Sequence, residues 1–250
     1  KTVTEVAEFW GTLLSGVEKA AEEYGVELKV LTSPREIDID KQIELIRQVT
    51  ADKPDVMILS AADYDRCAEA TEEAIAAGIG VVAIDTDVNA AGRACFVGSN
   101  SYEIGLEMGR AMASYLPEGG KVAVIQHMLT TTTGIERTRG VLDALNEAGN
   151  IEILGSFCCD NSTEQAQTIT TELLSADPEI RGFVCTNEVC NVGAANALVE
   201  LGMGGRVYVV GCDNSQRQIQ FLEQNIIQAI VTQRPFNMGY VAVQQAVRVA

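Results

Sequence analysis

Short apolar runs alternate along this chain with amphipathic stretches of roughly 10–15 residues, and few folds accept that rhythm. Val56-Met57-Ile58-Leu59, Val81-Val82-Ala83-Ile84, Val122 to Gln126, Ile151 to Phe157, Gly182 to Thr186, Val207 to Gly211 and Ile227 to Thr232 read as strands. The segments between them carry helical periodicity. Ile39 to Asp52 places Ile39, Ile43, Ile46 and Val49 on one face, and Pro54 stops it. Helices are likewise expected from Phe9 to Tyr24, Ala68 to Ala77, Tyr102 to Tyr115, about Ile135 to Ala148, Glu164 to Ser175, after the Gly182–Thr186 strand to Leu201, after the Val207–Gly211 strand to Gln224 and from Phe236 onward. Ser162 with Gln165 fits a capping box for the Glu164 helix. Such alternation means βαβ units, a mainly parallel sheet and helices on both faces.

Two further apolar runs complete the set. Val26 to Leu31 reads as an early strand, and Cys95-Phe96-Val97-Gly98 as another. No helix fits between Asp85 and Phe96, and that passage suits a crossing between two lobes. The expected fold class is α/β, with two similar open, mainly parallel-sheet lobes joined by a multi-strand hinge. Residues 1–98 plus 234–250 would form one lobe and 99–233 the other. Lys1-Thr2-Val3-Thr4 leads almost at once into a helix with no strand before it, so the chain is expected to be a segment of a longer one.

The strand ends carry the chemistry. Ile84-Asp85-Thr86-Asp87, Ile125-Gln126-His127, Cys185-Thr186-Asn187, Val210-Gly211-Cys212-Asp213 and Val231-Thr232-Gln233 all pass from apolar to hydrogen-bonding residues at the carboxyl end of a strand. In an open α/β sheet that is where ligands bind. The groups are acids and amides, which suit a small polar molecule.

Composition narrows the partners. The net charge of −17 repels phosphate backbones and argues against nucleic acid. No run of about 18 apolar residues exists to span a membrane. Seven cysteines are irregularly spaced, with no zinc-type pair of Cys-x-x-Cys motifs and one histidine in the chain. Cys95, Cys185 and Cys212 fall in strands expected to be buried, where cysteine acts as a small hydrophobe. No metal or cofactor is expected. Gly119-Gly120-Lys121 and Gly202-Met203-Gly204-Gly205 precede strands, whereas a phosphate-binding loop must open a helix, so both read as turns. No Gly-x-Ser-x-Gly is present, and a nucleophile–base pair is not visible.

Phe9-Trp10, Gly78-Ile79-Gly80-Val81-Val82-Ala83-Ile84-Asp85, Val97-Gly98-Ser99-Asn100, Glu136-Arg137-Thr138-Arg139-Gly140, Thr186-Asn187-Glu188, Val210-Gly211-Cys212-Asp213 and Thr232-Gln233 are specific in this order and spacing. With them the chain resembles the periplasmic sugar-binding proteins of the ribose type, whose fold is shared with effector domains of the Lac repressor family. The resemblance implies two lobes that close on a pyranose or similar polyol by a hinge motion. It also implies a set of contacts: Phe9 and Trp10 as an aromatic wall, Asp85 as acceptor of paired hydroxyls, Arg137, Asn187 and Asp213 from the second lobe, and Gln233 at the hinge. Thr86 stands where ribose binders place arginine, with Asp87 beyond it, and Asn161 stands where they place a stacking aromatic. The extra carboxylate would favour a larger polyol or an amine. His127 and Thr130 to Thr133 lie at the same rim.

These features lead to a non-enzymatic, monomeric binding protein outside the cytoplasm that delivers a sugar or polyol to the permease of an ABC transporter. The alternatives are the ligand-sensing domain of a LacI-type regulator and the extracellular domain of a sensor kinase.

Overall fold

A computed structural model describes residues 8–33 and 35–250. In chain order the first elements are α1 (Glu8–Tyr24), α2 (Ile39–Asp52), β1 (Val56–Leu59), α3 (Ala68–Ala76), β2 (Gly80–Ile84) and β3 (Cys95–Val97). Then come α4 (Ser101–Tyr115), β4 (Gly120–Gln126), α5 (Thr132–Ala148), β5 (Ile151–Cys158), α6 (Thr163–Ala176) and β6 (Ile180–Cys185). The last are α7 (Glu188–Glu200), β7 (Tyr208–Cys212), α8 (Gln216–Glu223), β8 (Ala229–Val231) and α9 (Pro235–Val249). All strand pairs are parallel. The chain divides into two compact units. The first holds the described residues to Ser99, with Thr130–Thr132 and Arg234–Ala250; the second holds Asn100–Leu129 and Thr133–Gln233.

In the first unit the sheet order is β1-β2-β3. The period-2 alternation of β2 sorts its residues. Val81 and Ala83 pack with Ile46, Met57, Leu59, Ala70 and Ala74 beneath α2 and α3. Val82 and Ile84 pack with Trp10, Leu13, Val17, Met238, Ala242 and Val243 beneath α1 and α9. Helices α1 and α9 meet so closely that a Cβ on Gly16 would strike the Phe236 carbonyl, and one on Gly239 the Leu13 carbonyl.

Two expectations need correction here. Residues 26–31 are not a strand. Val26, Leu28 and Val30 alternate as a strand should, yet they are 39%, 38% and 43% exposed, and no strand among the described residues pairs with the segment. Alternation assigns faces, but a strand also needs a partner edge. The segment instead lines a groove of about 740 Å³ together with β1, Trp10 and Leu13 of α1, and Ile46 and Val49 of α2. The loop between Asp85 and Phe96 does not carry the chain from one unit to the other, because β3 pairs with β2 in the first sheet (Val82 beside Cys95, Ile84 beside Val97). The passage follows Ser99. Cys95 is accordingly only half-buried, as an edge strand allows.

The second unit has the order β5-β4-β6-β7-β8. Ala123, Ile125, Phe183, Cys185 and Val209 face Ala166, Leu174, Ala194, Leu198 and Phe221 on one side. Val122, Val124, Val184, Val210 and Cys212 face Ile104, Met108, Met112, Val141 and Leu145 on the other. The strand order reverses between β4 and β6, which places the crevice of a doubly wound sheet at their carboxyl ends.

Candidate functional site

The hub of the second unit lies at that reversal. Strand β4 ends on Gln126 and continues into His127, and β6 is followed by Thr186 and Asn187. Thr186 is fully buried. Its hydroxyl accepts from the His127 backbone N–H at 3.0 Å and lies 2.7 Å from His127 Nδ1, while His127 Nε2 is 3.1 Å from the Thr133 hydroxyl. The carbonyl of Thr186 accepts from Arg137 Nη1 at 2.9 Å. Arg137 is 3% exposed and projects from the second turn of α5, where its position is set by α5 packing through Gly140 against α4. A buried guanidinium with fixed geometry is a strong, directional donor.

Asn187 caps α7, its side-chain oxygen accepting from the Cys190 N–H at 3.0 Å. Its amide nitrogen donates to Asn161 Oδ1 at 2.8 Å. Asn161 is held in a left-handed conformation (φ 53°) beyond β5, its own N–H donating to the His127 carbonyl at 2.8 Å. Asp213 follows β7. One of its oxygens accepts from the Glu188 N–H at 3.1 Å and the other from Gln233 Nε2 at 2.8 Å. Gln233 follows β8, and its side-chain oxygen is buried without a partner. Thus Arg137, Asn161, Asn187, Asp213 and Gln233 join, through Thr186 and the first turn of α7, into one polar layer.

The first unit repeats part of this design. Asp85 follows β2 at φ 60°, and its N–H donates to the Val97 carbonyl of the neighbouring β3 at 3.0 Å. Asp213 follows β7 at φ 76°, and its N–H donates to the Val231 carbonyl of the neighbouring β8 at 2.9 Å. Each aspartate therefore occupies the same strained position relative to its own sheet. At Asp85 the turn is tight enough for the Thr86 N–H to reach the Ile84 carbonyl at 2.7 Å, a γ-turn with a left-handed centre. Strain of this kind persists where the surroundings enforce it, and it concentrates at functional sites. Both aspartates are buried, at 8% and 6% exposure.

The remaining sequence candidates in this unit differ in role. The Thr86 hydroxyl donates to the Ala61 carbonyl at 2.6 Å and lies 2.9 Å from the Ser60 hydroxyl, so it ties the end of β1 to the end of β2. Trp10 is buried in the core beneath α1, with Phe9 edge-on to it at 5.3 Å and only half-buried. Asp87 is not the open carboxylate that its position suggests. Arg93 grips it with two bonds of 2.6 Å, and the carboxylate in turn raises the pKa of the Arg93 guanidinium. The Thr130 hydroxyl donates to the Ala62 carbonyl at 2.9 Å and the Thr132 hydroxyl accepts from the Asp87 N–H at 3.0 Å. Thr186 and His127 are hub residues that the sequence placed at strand ends without assigning either a contact. The signal for both was their place directly after β6 and β4 at the reversal of strand order.

Chemically, each unit gathers polar groups at the carboxyl ends of its strands, with donors and acceptors held in fixed orientations. Sugar hydroxyls, which donate and accept at once, are suited to such groups.

The model of the periplasmic binding protein domain matches residues 3–250, and the chain belongs to that family. It is 26% identical over 239 residues to the D-allose-binding periplasmic protein of Escherichia coli, covering 92% of this chain and 77% of that protein. A sugar transporter structure from Clostridium phytofermentans superposes with a TM-score of 0.91 at 31% identity, covering 97% of this chain and 88% of the other. An ABC transporter solute-binding protein from Actinobacillus succinogenes with bound D-allose gives 0.88 at 27% identity, covering 97% and 87%. The match places the chain among binding proteins and not among enzymes, and its α/β architecture is that of the type I members.

Proposed function

We propose that this member of the periplasmic binding protein family captures a sugar or sugar-like polyol outside the cytoplasm and presents it to the permease of an ABC transporter, acting as a monomer without nucleic-acid partners. Its relatives include a D-allose-binding periplasmic protein and import binding proteins for ribose and D-apiose, which supports a monosaccharide as ligand. The observation that carries the reading is the polar layer at the carboxyl ends of β4, β6 and β7, where Arg137, Asn187 and Asp213 are buried or half-buried and mutually oriented.

In this reading Asp213 and Asp85 accept from paired hydroxyls, Arg137 and Asn187 donate to ring or hydroxyl oxygens, and Gln233 offers its unpartnered oxygen. Phe9, backed by the buried Trp10, covers an apolar C–H face of the ring. Asn161, tied to Asn187 where an aromatic is expected, makes the second unit's contribution wholly polar. Thr86 contributes by holding Asp85 in place. The pairing of Asp87 with Arg93 removes that reason to expect an amine on the ligand.

A thermal-shift panel of D-allose, D-ribose, D-apiose, D-galactose and D-glucose at millimolar concentration tests this. A sugar at 100 times its Kd stabilises by about 2.7 kcal/mol, a rise of several degrees in Tm. No rise with any sugar or polyol, together with flat calorimetric titrations, would remove the proposal.

A further inference from the structure

The polar layer of the second unit rests on a pair of sulfurs. Cys159 lies in the loop just past β5, two residues before Asn161. Cys190 lies in the first turn of α7, three residues after Asn187. Their Sγ atoms are 3.5 Å apart, and both residues are 0% exposed. The amides of Asn161 and Asn187, bonded at 2.8 Å, sit on the same two segments, so the sulfur pair and the amide pair join the same loop to the same helix.

We propose that Cys159 and Cys190 close into a disulfide during folding, with an organic disulfide as oxidant, and that this bond fixes the Asn161–Asn187 pair. The setting outside the cytoplasm, which belongs to the proposed function, favours such a bond, but the pairing itself follows from unit-internal geometry. Closure brings the sulfurs from 3.5 Å to about 2.05 Å. The loop can supply the movement, since Asp160 and Asn161 are irregular, left-handed residues outside any element (φ 49° and 53°). Cys159 is the attacking sulfur. It lies in the loop just past β5 and is open to the oxidant until α7 packs over it.

The exchange balances in two steps. The Cys159 thiolate attacks one sulfur of the organic disulfide, whose S–S bond breaks, and one organic thiolate leaves and takes up the proton Cys159 released. Cys190 then loses its proton and attacks Cys159 Sγ in the mixed disulfide, expelling the second organic thiolate, which takes up that proton. Two protein thiols are oxidised by two electrons, and one organic disulfide is reduced to two thiols. A mixed disulfide does not fit around a fully buried Cys159, which places the reaction before α7 has packed.

The test is refolding of the full chain from denaturant in a buffer of reduced and oxidised glutathione, against refolding in dithiothreitol. After denaturation and alkylation, the glutathione sample is expected to carry two fewer labels than the seven cysteines allow, with Cys159 and Cys190 peptides joined. Its Tm should stand roughly 5–10 °C above the reduced sample, the scale for closing a loop of about 30 residues. Exchange of the Cys190 amide hydrogen, which is bonded to Asn187, should slow. The Tm difference should vanish in both Cys159→Ala and Cys190→Ala. Seven labelled cysteines, a different joined pair, or a joined pair with unchanged Tm and amide exchange would each overturn the proposal, and none of these readouts depends on a sugar.

Discussion

Substituting Asp213 by asparagine separates binding from folding more cleanly than any other change in the site. The carboxylate accepts from the Glu188 N–H and from Gln233 Nε2. Asparagine keeps one oxygen for the rigid Glu188 amide, and its new NH2 group can donate to Gln233 once that side-chain amide rotates. It also tolerates φ 76°, as few other residues do. The fold should therefore lose about 1 kcal/mol, the net scale of one altered hydrogen bond. Binding should lose more. A sugar hydroxyl pair would face a neutral amide where it faced a carboxylate, and hydrogen bonds to charged groups contribute about 1.5–3 kcal/mol. That is roughly a 10- to 150-fold rise in Kd. Asp213→Ala provides the contrast. It leaves the buried Glu188 N–H unpaired, at about 1–3 kcal/mol, and forces a Cβ-bearing residue without a polar side chain into a left-handed conformation, at about 1–2 kcal/mol more. Urea denaturation and isothermal titration on the same preparations measure both quantities. Unchanged sugar affinity in Asp213→Asn, or a stability loss equal to that of Asp213→Ala, would refute the reasoning.

Other consequences are also measurable. Arg137→Lys keeps the charge but not the planar fork that reaches the Thr186 carbonyl, and should weaken sugar binding by about 1.5–3 kcal/mol by titration calorimetry. Gly239→Ala should destabilise by about 1–3 kcal/mol because its Cβ meets the Leu13 carbonyl, whereas Gly11→Ala, with open space around it in α1, should stabilise by about 0.5–1 kcal/mol; urea unfolding of both checks the helix contact. Lys121 bonds Asp177 at 2.7 Å and lowers its pKa below the usual aspartate value. A depressed folded pKa gives stability that is present above about pH 4 and is lost as pH falls through that lower value. The Tm difference between wild type and Lys121→Met should thus shrink toward zero in acid, and a constant difference would show that the ion pair is not its source.

Much of this molecule could be read from residue order because its elements are local. Ile39–Asp52 and Val56–Leu59 form where periodicity and Pro54 place them. Residues 26–31 show the limit, since alternation is local but strand pairing is not. Caps show it at finer grain. Ser162 accepts from the Gln165 N–H as expected, but the Gln165 side chain turns to the Cys158 carbonyl, and the full capping box is at Ser215 and Gln218. Asp85, Asn187 and Asp213 follow β2, β6 and β7 as residue order places them, because the carboxyl end of a strand is defined by sequence. That Asp87 belongs to Arg93, or that Thr86 belongs to Ser60 and Ala61, depends on loop paths that no periodicity encodes. The burial of Trp10 follows from the packing of α9, more than 220 residues away, onto α1.

A crystal structure with the sugar that most raises Tm tests the central claim most directly. Its hydroxyls should lie within hydrogen-bond distance of Asp85, Arg137, Asn187 and Asp213. A sugar held by other residues, with these four left to water, would contradict it.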